Sequence, residues 1–388
     1  MEAARADGLF DGEAVNGRMY TDEAVFEEEM ERIFNRTWVY VAHESELESP
    51  GDYKTTRLGL QSVIVARGAD DGVIRVMLNR CRHRAASVCQ TPCGSANFFR
   101  CAYHGWTYNN KGELIGMPFQ DGYGPDLDKR ELGLAQAPRV AAYRGFVFAS
   151  MNEAAPPLEE HLRHVLPYLD QTADSAPGGI ALRAGAQRYA YPNNWKLQLE
   201  NTIDPYHASI THQSFFDMLG KKMGKRINFK KQYEVERVND LGGGSSIYHM
   251  DADFGIGELP FILLVFPNLG ILGSQIRVIE PVSAGATKVT LYPMLGKASS
   301  DADNAARLRK HEIFYGPAGQ GTADDLEVAF DRVAEGLAGA GDGARLTMRR
   351  GLHREQPDAN GLACSHPSDE VPFRSLYREW RRLMTAGG

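Results

Sequence analysis

Two periods of hydrophobic and polar positions divide the 388-residue chain. The first eighteen or so residues follow neither period and read as a mobile arm. Thr21 is then a candidate N-cap, with Asp22 and Glu23 in a first turn where acids suit the helix dipole. Phe26, Met30, Ile33 and Phe34 recur at helical spacing, so this helix needs an apolar partner later in the chain. From Trp38 to Met151 the period shortens to two, as in Ser62–Arg67 and Val73–Leu78. Turn signals at Pro50-Gly51-Asp52, Gly68–Gly72, Asn109–Gly112 and Asp121-Gly122 separate the runs, an all-β pattern. Ala154-Ala155-Pro156-Pro157 is the best linker. Beyond it an amphipathic helix is expected over Leu158–Leu169, with Pro167 near its end. Strands are expected at Ala186–Tyr191, Gln232–Val238, Leu263–Ile279 and Lys288–Met294, and helices at Ala302–Tyr315 and Asp324–Leu337. Strands and helices mixed around an antiparallel sheet make an α+β domain. The expected division is 1–37 for arm and helix, 38–155 for the all-β domain and 156–388 for the α+β domain.

Composition changes this picture little. Hydrophobic residues make up 43% and charged residues 24%, as in soluble globular proteins, and the length calls for more than one core. A net charge of -7 argues against nucleic acid as a partner. The longest apolar run, Phe261–Leu272, is broken by Pro267 and Asn268 and is too short to span a bilayer. The N-terminus has no apolar signal region, so a cytoplasmic location is expected. Lys221-Lys222, Lys225-Arg226 and Lys230-Lys231 read as a solvated basic face, with a lid or a dock for an acidic partner as alternatives. Five cysteines are too few for a disulfide scaffold, and their clustering suggests metal or redox chemistry.

That chemistry is specific. Cys81-Arg82-His83 and Cys101-Ala102-Tyr103-His104 are separated by seventeen residues. Two thiolates and two imidazoles suit structural zinc or a Rieske [2Fe–2S] cluster. A zinc finger keeps its cysteines together and its histidines together. Here each loop carries one of each, as needed when two loops clasp a two-iron rhomb. In that case Gly105 would let backbone approach the cluster, and Trp106 would shield it from water. Cys89 and Cys93 read as free thiols, and Cys364 as a packing residue.

A second concentration of chemistry runs from Glu200 to His212 and holds Asn201, Asp204, His207 and His212. Alone it is ambiguous, because paired histidines in a polar helix are more often surface or core residues than ligands. Their i,i+5 spacing puts them about 140° apart on an ideal helix, so both reach one metal only where the helix is distorted or ends. Asp204 and His207, at i,i+3, share a face.

The chain resembles the large (α) subunits of Rieske non-haem iron aromatic-ring-hydroxylating oxygenases, from about Met19 to Arg382. The resemblance rests on Ile33–Trp38, Pro50–Tyr53, the two Cys–His pairs, Asn193-Asn194-Trp195-Lys196, Glu200–His212, and Phe314–Gly319 before Asp324-Asp325. The short spacing from Glu200 to His207 is similar to the branch acting on benzoate-, salicylate- and terephthalate-like acids. The resemblance implies a helix-grip-like catalytic domain behind the Rieske domain. It implies a cluster on Cys81, His83, Cys101 and His104, and a mononuclear Fe(II) on His207, His212 and Asp325. Asp324 is the rival carboxylate, and Asp331 is a weaker one. Asp204 would orient His207 and meet His104 of the partner subunit in a homotrimer, carrying electrons to the iron. Asn201 would sit near the iron without being an ordinary ligand. Arg277 matches a position that holds the substrate carboxylate in some relatives, with a buried or interfacial salt bridge as the plain alternative. The other histidines (His43, His161, His164, His249, His311, His353 and His366) receive no metal role.

The function implied is a terminal oxygenase that hydroxylates an arene with O₂, by dihydroxylation or monohydroxylation. Its electrons would come from an NADH-dependent reductase, with or without a ferredoxin, and a small β subunit could complete the assembly. O- or N-demethylation is the alternative reaction. A Rieske electron carrier is a rival class that leaves the second half of the chain unexplained. A zinc-stapled binding protein, which would be colourless, is another.

Overall fold

The computed structural model describes residues 6, 8–224, 229, 233–250, 259–316, 319, 324–340 and 343–385. Lys225-Arg226, Lys230-Lys231, Pro317 and Ala318 lie outside them. The chain forms two compact units: Phe34–Leu158, and the segment up to Ile33 together with Glu159 onward.

The Phe34–Leu158 unit is all β apart from short 3₁₀ turns. Its four-stranded sheet runs Ile74–Leu78, Gln61–Arg67, Asp52–Leu58, Cys93–Ser95. Val63, Ile64, Val65 and Ala66 are all buried, so this strand is covered on both faces. A three-stranded sheet of Phe98–Arg100, Thr107–Asn109 and Leu114–Gly116 carries the second Cys–His loop. A third sheet joins Val39–His43 to Phe146–Ser150 and Arg139–Tyr143. The linker is anchored, since Trp38 Nε1 donates to the Pro156 carbonyl at 2.9 Å.

The other unit is built on a nine-stranded antiparallel sheet, in the order Gln187–Tyr191, Ala286–Pro293, Gln275–Ser283, Leu269–Leu272, Phe261–Val265, Ser245–His249, Arg237–Gly242, Ala363–Ser365, Gln356–Pro357. The helices Trp195–Ile203 and Val371–Thr385 lie against it. Gly270 permits the close approach of the first, because a Cβ there would meet Thr202 Cγ2 at 2.8 Å.

Several expectations are corrected. From Gly8 onward the N-terminal arm is ordered: Ala14–Asn16 pairs with Arg345–Thr347, and Leu9, Phe10 and Val15 are buried. Asp22, rather than Thr21, caps the helix Glu23–Glu29 by accepting from Ala24 N. Leu158–Leu169 is two helices, Leu158–His161 and Leu166–Ala173; Pro167 lies in the first turn of the second, where its missing N–H has no role to lose. The strand expected from Gln232 begins at Arg237, and Leu263–Ile279 is three strands with tight turns between them.

The apolar face of the Glu23–Glu29 helix packs within the larger unit, with Val25 and Phe26 buried. Beside it lies a buried ion pair. Lys196 Nζ meets Glu29 Oε1 at 2.6 Å, and both side chains are 0% exposed. Trp195 Nε1 and Trp380 Nε1 also donate to Glu29, at 2.8 Å and 2.7 Å.

Candidate active site: a Cys–His pair of loops and a His–His–Asp triad

The two Cys–His loops close in the same way. Ala85 N donates to the Cys81 carbonyl and Gly105 N to the Cys101 carbonyl. Cys81 N reaches the Ala86 carbonyl, and Cys101 N the Trp106 carbonyl. Each turn needs a left-handed residue, Ala85 at φ 59° and Gly105 at φ 72°. Alanine bears that conformation at about 1–2 kcal/mol. The loops bring the His83 and His104 rings to 4.4 Å between centroids, and Trp106 stacks on His83 at 5.0 Å and 7°. Cys81 and Cys101 are buried free thiols, and His83 Nδ1 is buried without a hydrogen-bond partner. Two thiols and an orphaned imidazole nitrogen converging in one place fit a [2Fe–2S] cluster. Tyr108 lies behind, its hydroxyl 3.2 Å from Cys81 Sγ and accepting from Arg82 N. Cys89 and Cys93 are free, the first buried and the second exposed.

In the larger unit, the segment Asn193–Lys196 positions the helix that leads to the second site. Asn194 caps this helix by accepting from Lys196 N, and its amide nitrogen donates to the Tyr20 and Ala284 carbonyls. Asp204 ends it and caps the next helix, Pro205–Thr211, by accepting from Tyr206 N at 2.8 Å. The other oxygen of Asp204 lies 3.1 Å from His207 Nδ1. His212 is the junction between Pro205–Thr211 and Gln213–Met223, with φ -100° and ψ 19°. This break resolves the awkward i,i+5 spacing: the ring centroids of His207 and His212 are 5.2 Å apart.

The third group arrives from 113 residues on. Asp325 opens a π-helical turn, Asp325–Asp331, held in place by Phe330. The Phe330 ring stacks on Tyr191 at 4.1 Å, and its carbonyl accepts from Asn193 Nδ2 at 3.0 Å. Asp325 Oδ1 lies 3.2 Å from His212 Nε2 and 3.7 Å from His207 Nε2. Asp324 instead faces the outer nitrogen, His212 Nδ1, at 3.3 Å. Asp331 is exposed. Asp204 and Asp324 thus hold the Nδ1 side of each ring, leaving both Nε2 atoms free to converge with Asp325, whose buried Oδ1 has no hydrogen-bond partner. His207, His212 and Asp325 form a set of ligand atoms placed to hold a single metal ion, all within 4.8 Å of one another. Two imidazoles and one carboxylate on one side of a space suit a non-haem iron with open positions. Burial pulls the His207 pKa down, but the hydrogen bond and charge of Asp204 and the charge of Asp325 outweigh it and raise it overall.

A cavity opens beside these three, bounded among others by Asn201, Phe216, Ile262, Leu272, Arg277 and Tyr315. Asn201 Nδ2 is buried there without a partner. Arg277 is 2% exposed and donates from Nη1 to Thr202 Oγ1 at 3.1 Å and from Nε to Gln275 Oε1 at 3.4 Å. Among the described residues of this chain no carboxylate lies within ion-pair distance of it, although its charge is felt by Asp325 on the same cavity. Thr202 and Gln275 were missed at the sequence level, although Gln275 and Arg277 lie two apart on one strand and so share a face.

Glu200 sits one turn before Asp204. Its Oε1 accepts from Tyr20 at 2.8 Å and also from Tyr377. Burial pushes its carboxyl up to about 7, against the pull of both phenols and Lys196. The folded chain therefore holds this proton more tightly than the unfolded one, and stability falls as pH rises from 4.5 to about 7. Glu200→Gln keeps the acceptor and removes the titration. It is expected to match the wild type in urea unfolding at low pH and to exceed it by roughly 3 kcal/mol at pH ~8. A stability difference that does not change with pH would refute this.

The fold and the two sites define a Rieske protein with a second, iron-binding catalytic unit. Residues 37–138 match the Rieske [2Fe–2S] domain, and residues 181–386 match the ring hydroxylating α subunit catalytic domain. The chain is 32% identical to the 2-halobenzoate 1,2-dioxygenase large subunit of Burkholderia cepacia, over 95% of this chain and 89% of that one. It is 30% identical to the toluate 1,2-dioxygenase subunit alpha of Pseudomonas putida, over 94% and 90%. The structure of naphthalene 1,2-dioxygenase from Rhodococcus sp. bound to indole superposes with a TM-score of 0.84 at 28% identity, covering 97% of this chain and 95% of that one. The chain belongs to the family of ring-hydroxylating oxygenase α subunits. It is an oxidoreductase whose cofactors are a Rieske [2Fe–2S] cluster and a mononuclear iron, and its family works with electron-donating partners. No helix among the described residues is long and apolar enough to cross a membrane.

Proposed function

We propose that the protein hydroxylates an aromatic carboxylate, with Arg277 receiving the carboxylate and the ring lying beside His207, His212 and Asp325. The observation that carries this reading is the buried guanidinium of Arg277 in the cavity wall, whose hydrogen-bond partners among the described residues are all neutral. A buried unpaired charge is costly, and a bound carboxylate relieves it. Two of the relatives are named for substituted benzoates.

Cys81, His83, Cys101 and His104 would hold the cluster, and His207, His212 and Asp325 the iron. When bound, the iron supplies the oxygen-activating chemistry and the cluster the electrons. Asp204 fixes His207 through Nδ1 and, in a homotrimer, would face His104 of the partner subunit. Asn201, Phe216 and Leu272 shape the space in which the ring is oriented. Electrons would come in the cytoplasm from an NADH-dependent reductase, with or without a ferredoxin, and a β subunit would complete the assembly in one version.

Product analysis under ¹⁸O₂ with a surrogate reductase tests the reading. The panel is benzoate, 2-chlorobenzoate and 3-methylbenzoate, each against its neutral methyl counterpart. Labelled hydroxylated acids are expected, with kcat/KM for the acids falling at least about a hundredfold in Arg277→Leu, as when one partner of a buried charge pair is removed. Turnover of neutral arenes only, or demethylation alone, would overturn the assignment.

A further inference from the structure

Behind Arg277 stand two buried side chains that the function above leaves unused. Arg277 Nε has only a hydrogen to offer, so the atom of Gln275 facing it at 3.4 Å is the carbonyl oxygen. The amide nitrogen of Gln275 is thereby turned toward His311 Nε2, at 3.2 Å. That nitrogen carries only hydrogens, so His311 Nε2 accepts and the ring proton sits on Nδ1. His311 is 1% exposed, and its Nδ1 has no hydrogen-bond partner. Burial, and Arg277 nearby, bring its pKa down to about 4, so the imidazole is neutral. On its other side the guanidinium donates to a hydroxyl, Thr202 Oγ1.

We propose that Gln275 and His311 are positioning residues that set the preference for acids, holding the Arg277 guanidinium toward the cavity with neutral partners only. The inference rests on Arg277 as the carboxylate anchor. A carboxylate at 275 would orient Arg277 equally well but would also neutralise it. A neutral amide orients it and leaves its charge for the ligand. An amide alone is free to turn over and present its nitrogen to Arg277, donor against donor. The acceptor on His311 opposes that turn, while its own Nδ1 proton goes unsatisfied. His311 thus acts on the substrate through two intermediaries and does not touch it.

The test uses the full-length oxygenase and the same acid and neutral panel, with dissociation constants from calorimetry beside kcat and KM. Gln275→Glu gives Arg277 an internal carboxylate, so acid binding is expected to weaken at least about tenfold, while KM for the neutral arenes holds within about twofold. His311→Leu is expected to raise KM for the acids several-fold at nearly unchanged kcat. His311→Gln, whose carbonyl can accept from the Gln275 amide, is expected to restore it. Equal losses for acids and neutral arenes would show that both residues only support the fold, and would overturn the proposal. Unchanged acid binding in Gln275→Glu and His311→Leu, with Arg277→Leu defective, would refute the positioning role alone. Acid binding indifferent to Arg277→Leu would remove the anchor itself, and the inference with it.

Discussion

His207→Ala is expected to abolish hydroxylation and release the mononuclear iron while leaving the [2Fe–2S] chromophore intact. Asp325→Ala is expected to do the same. The two effects separate because the triad lies in the larger unit, and the Cys–His loops lie within Phe34–Leu158. His207 Nε2 and His212 Nε2 converge with a single oxygen of Asp325, at 3.7 Å and 3.2 Å. Removing one of three protein ligands leaves two, too few to hold a divalent iron against water. Asp324→Asn is the informative contrast. Among the described residues its carboxylate contacts His212 at Nδ1, the side away from Asp325, so it steers a ring without reaching the metal position. Such an outer contact is worth about 10–100-fold in metal affinity or activity, so this variant is expected to be weakened and rescued by added ferrous iron. Iron analysis with the visible spectrum and product formation reads all three. A His207→Ala protein without its mononuclear iron that still hydroxylated substrate would disprove the assignment.

Glu29→Ala is expected to destabilise the larger unit by about 3–5 kcal/mol, the usual consequence of stranding one member of a buried ion pair. Lys196 would be left buried without its counter-charge, and the indole N–H groups of Trp195 and Trp380 would lose their acceptor. Burial already lowers the Lys196 pKa, opposed by Glu29, so Lys196 in the variant is expected to lose its proton well below the normal lysine range. These contacts join three distant parts of the chain: the Glu23–Glu29 helix, the Trp195–Ile203 helix and the Val371–Thr385 helix. The loss should therefore appear as loosened attachment of the N-terminal helix, read by urea unfolding and by faster amide exchange in Glu23–Glu29. The double variant Glu29→Leu/Lys196→Met removes both charges and is expected to recover much of the stability. A double variant no better than Glu29→Ala would point to the lost tryptophan hydrogen bonds instead.

The same contacts explain a segment that read only as a family signature. In Asn193-Asn194-Trp195-Lys196, one residue holds the Phe330 carbonyl, one caps the helix and two bind Glu29. All four act structurally to place the Asp204–His207 segment, and their partners are up to 174 positions away, as with Asn194 and Tyr20. Spacing along the chain carries no trace of such partners. The N-terminal arm shows the same limit: three residues pair with Arg345–Thr347, and no local period announces a strand so short.

The cluster chemistry was legible because each pair of candidate ligands lies within one loop. There the order of cysteine and histidine is itself the geometry, and turn closure at Ala85 and Gly105 completes it. The family and the α+β character were legible for the same reason, since motif and period are local properties. The second site was half legible. Asp204, His207 and His212 are neighbours in sequence, but whether the two rings meet depends on the helix ending at Thr211, and that break places His212. Which of Asp324 and Asp325 faces the histidine Nε2 atoms depends on how the π-helical turn seats against Tyr191 and Asn193, with one adjacent carboxylate turned inward and the other onto Nδ1. The neutral hydrogen-bond partners of Arg277, and the histidine behind them, come from a helix, a strand and a second helix meeting in space. Residue types and short spacings carry chemistry wherever ligands share a loop; folding over a hundred or more residues decides which side chains meet, because through-space contacts, not chain neighbours, set distance, burial and charge.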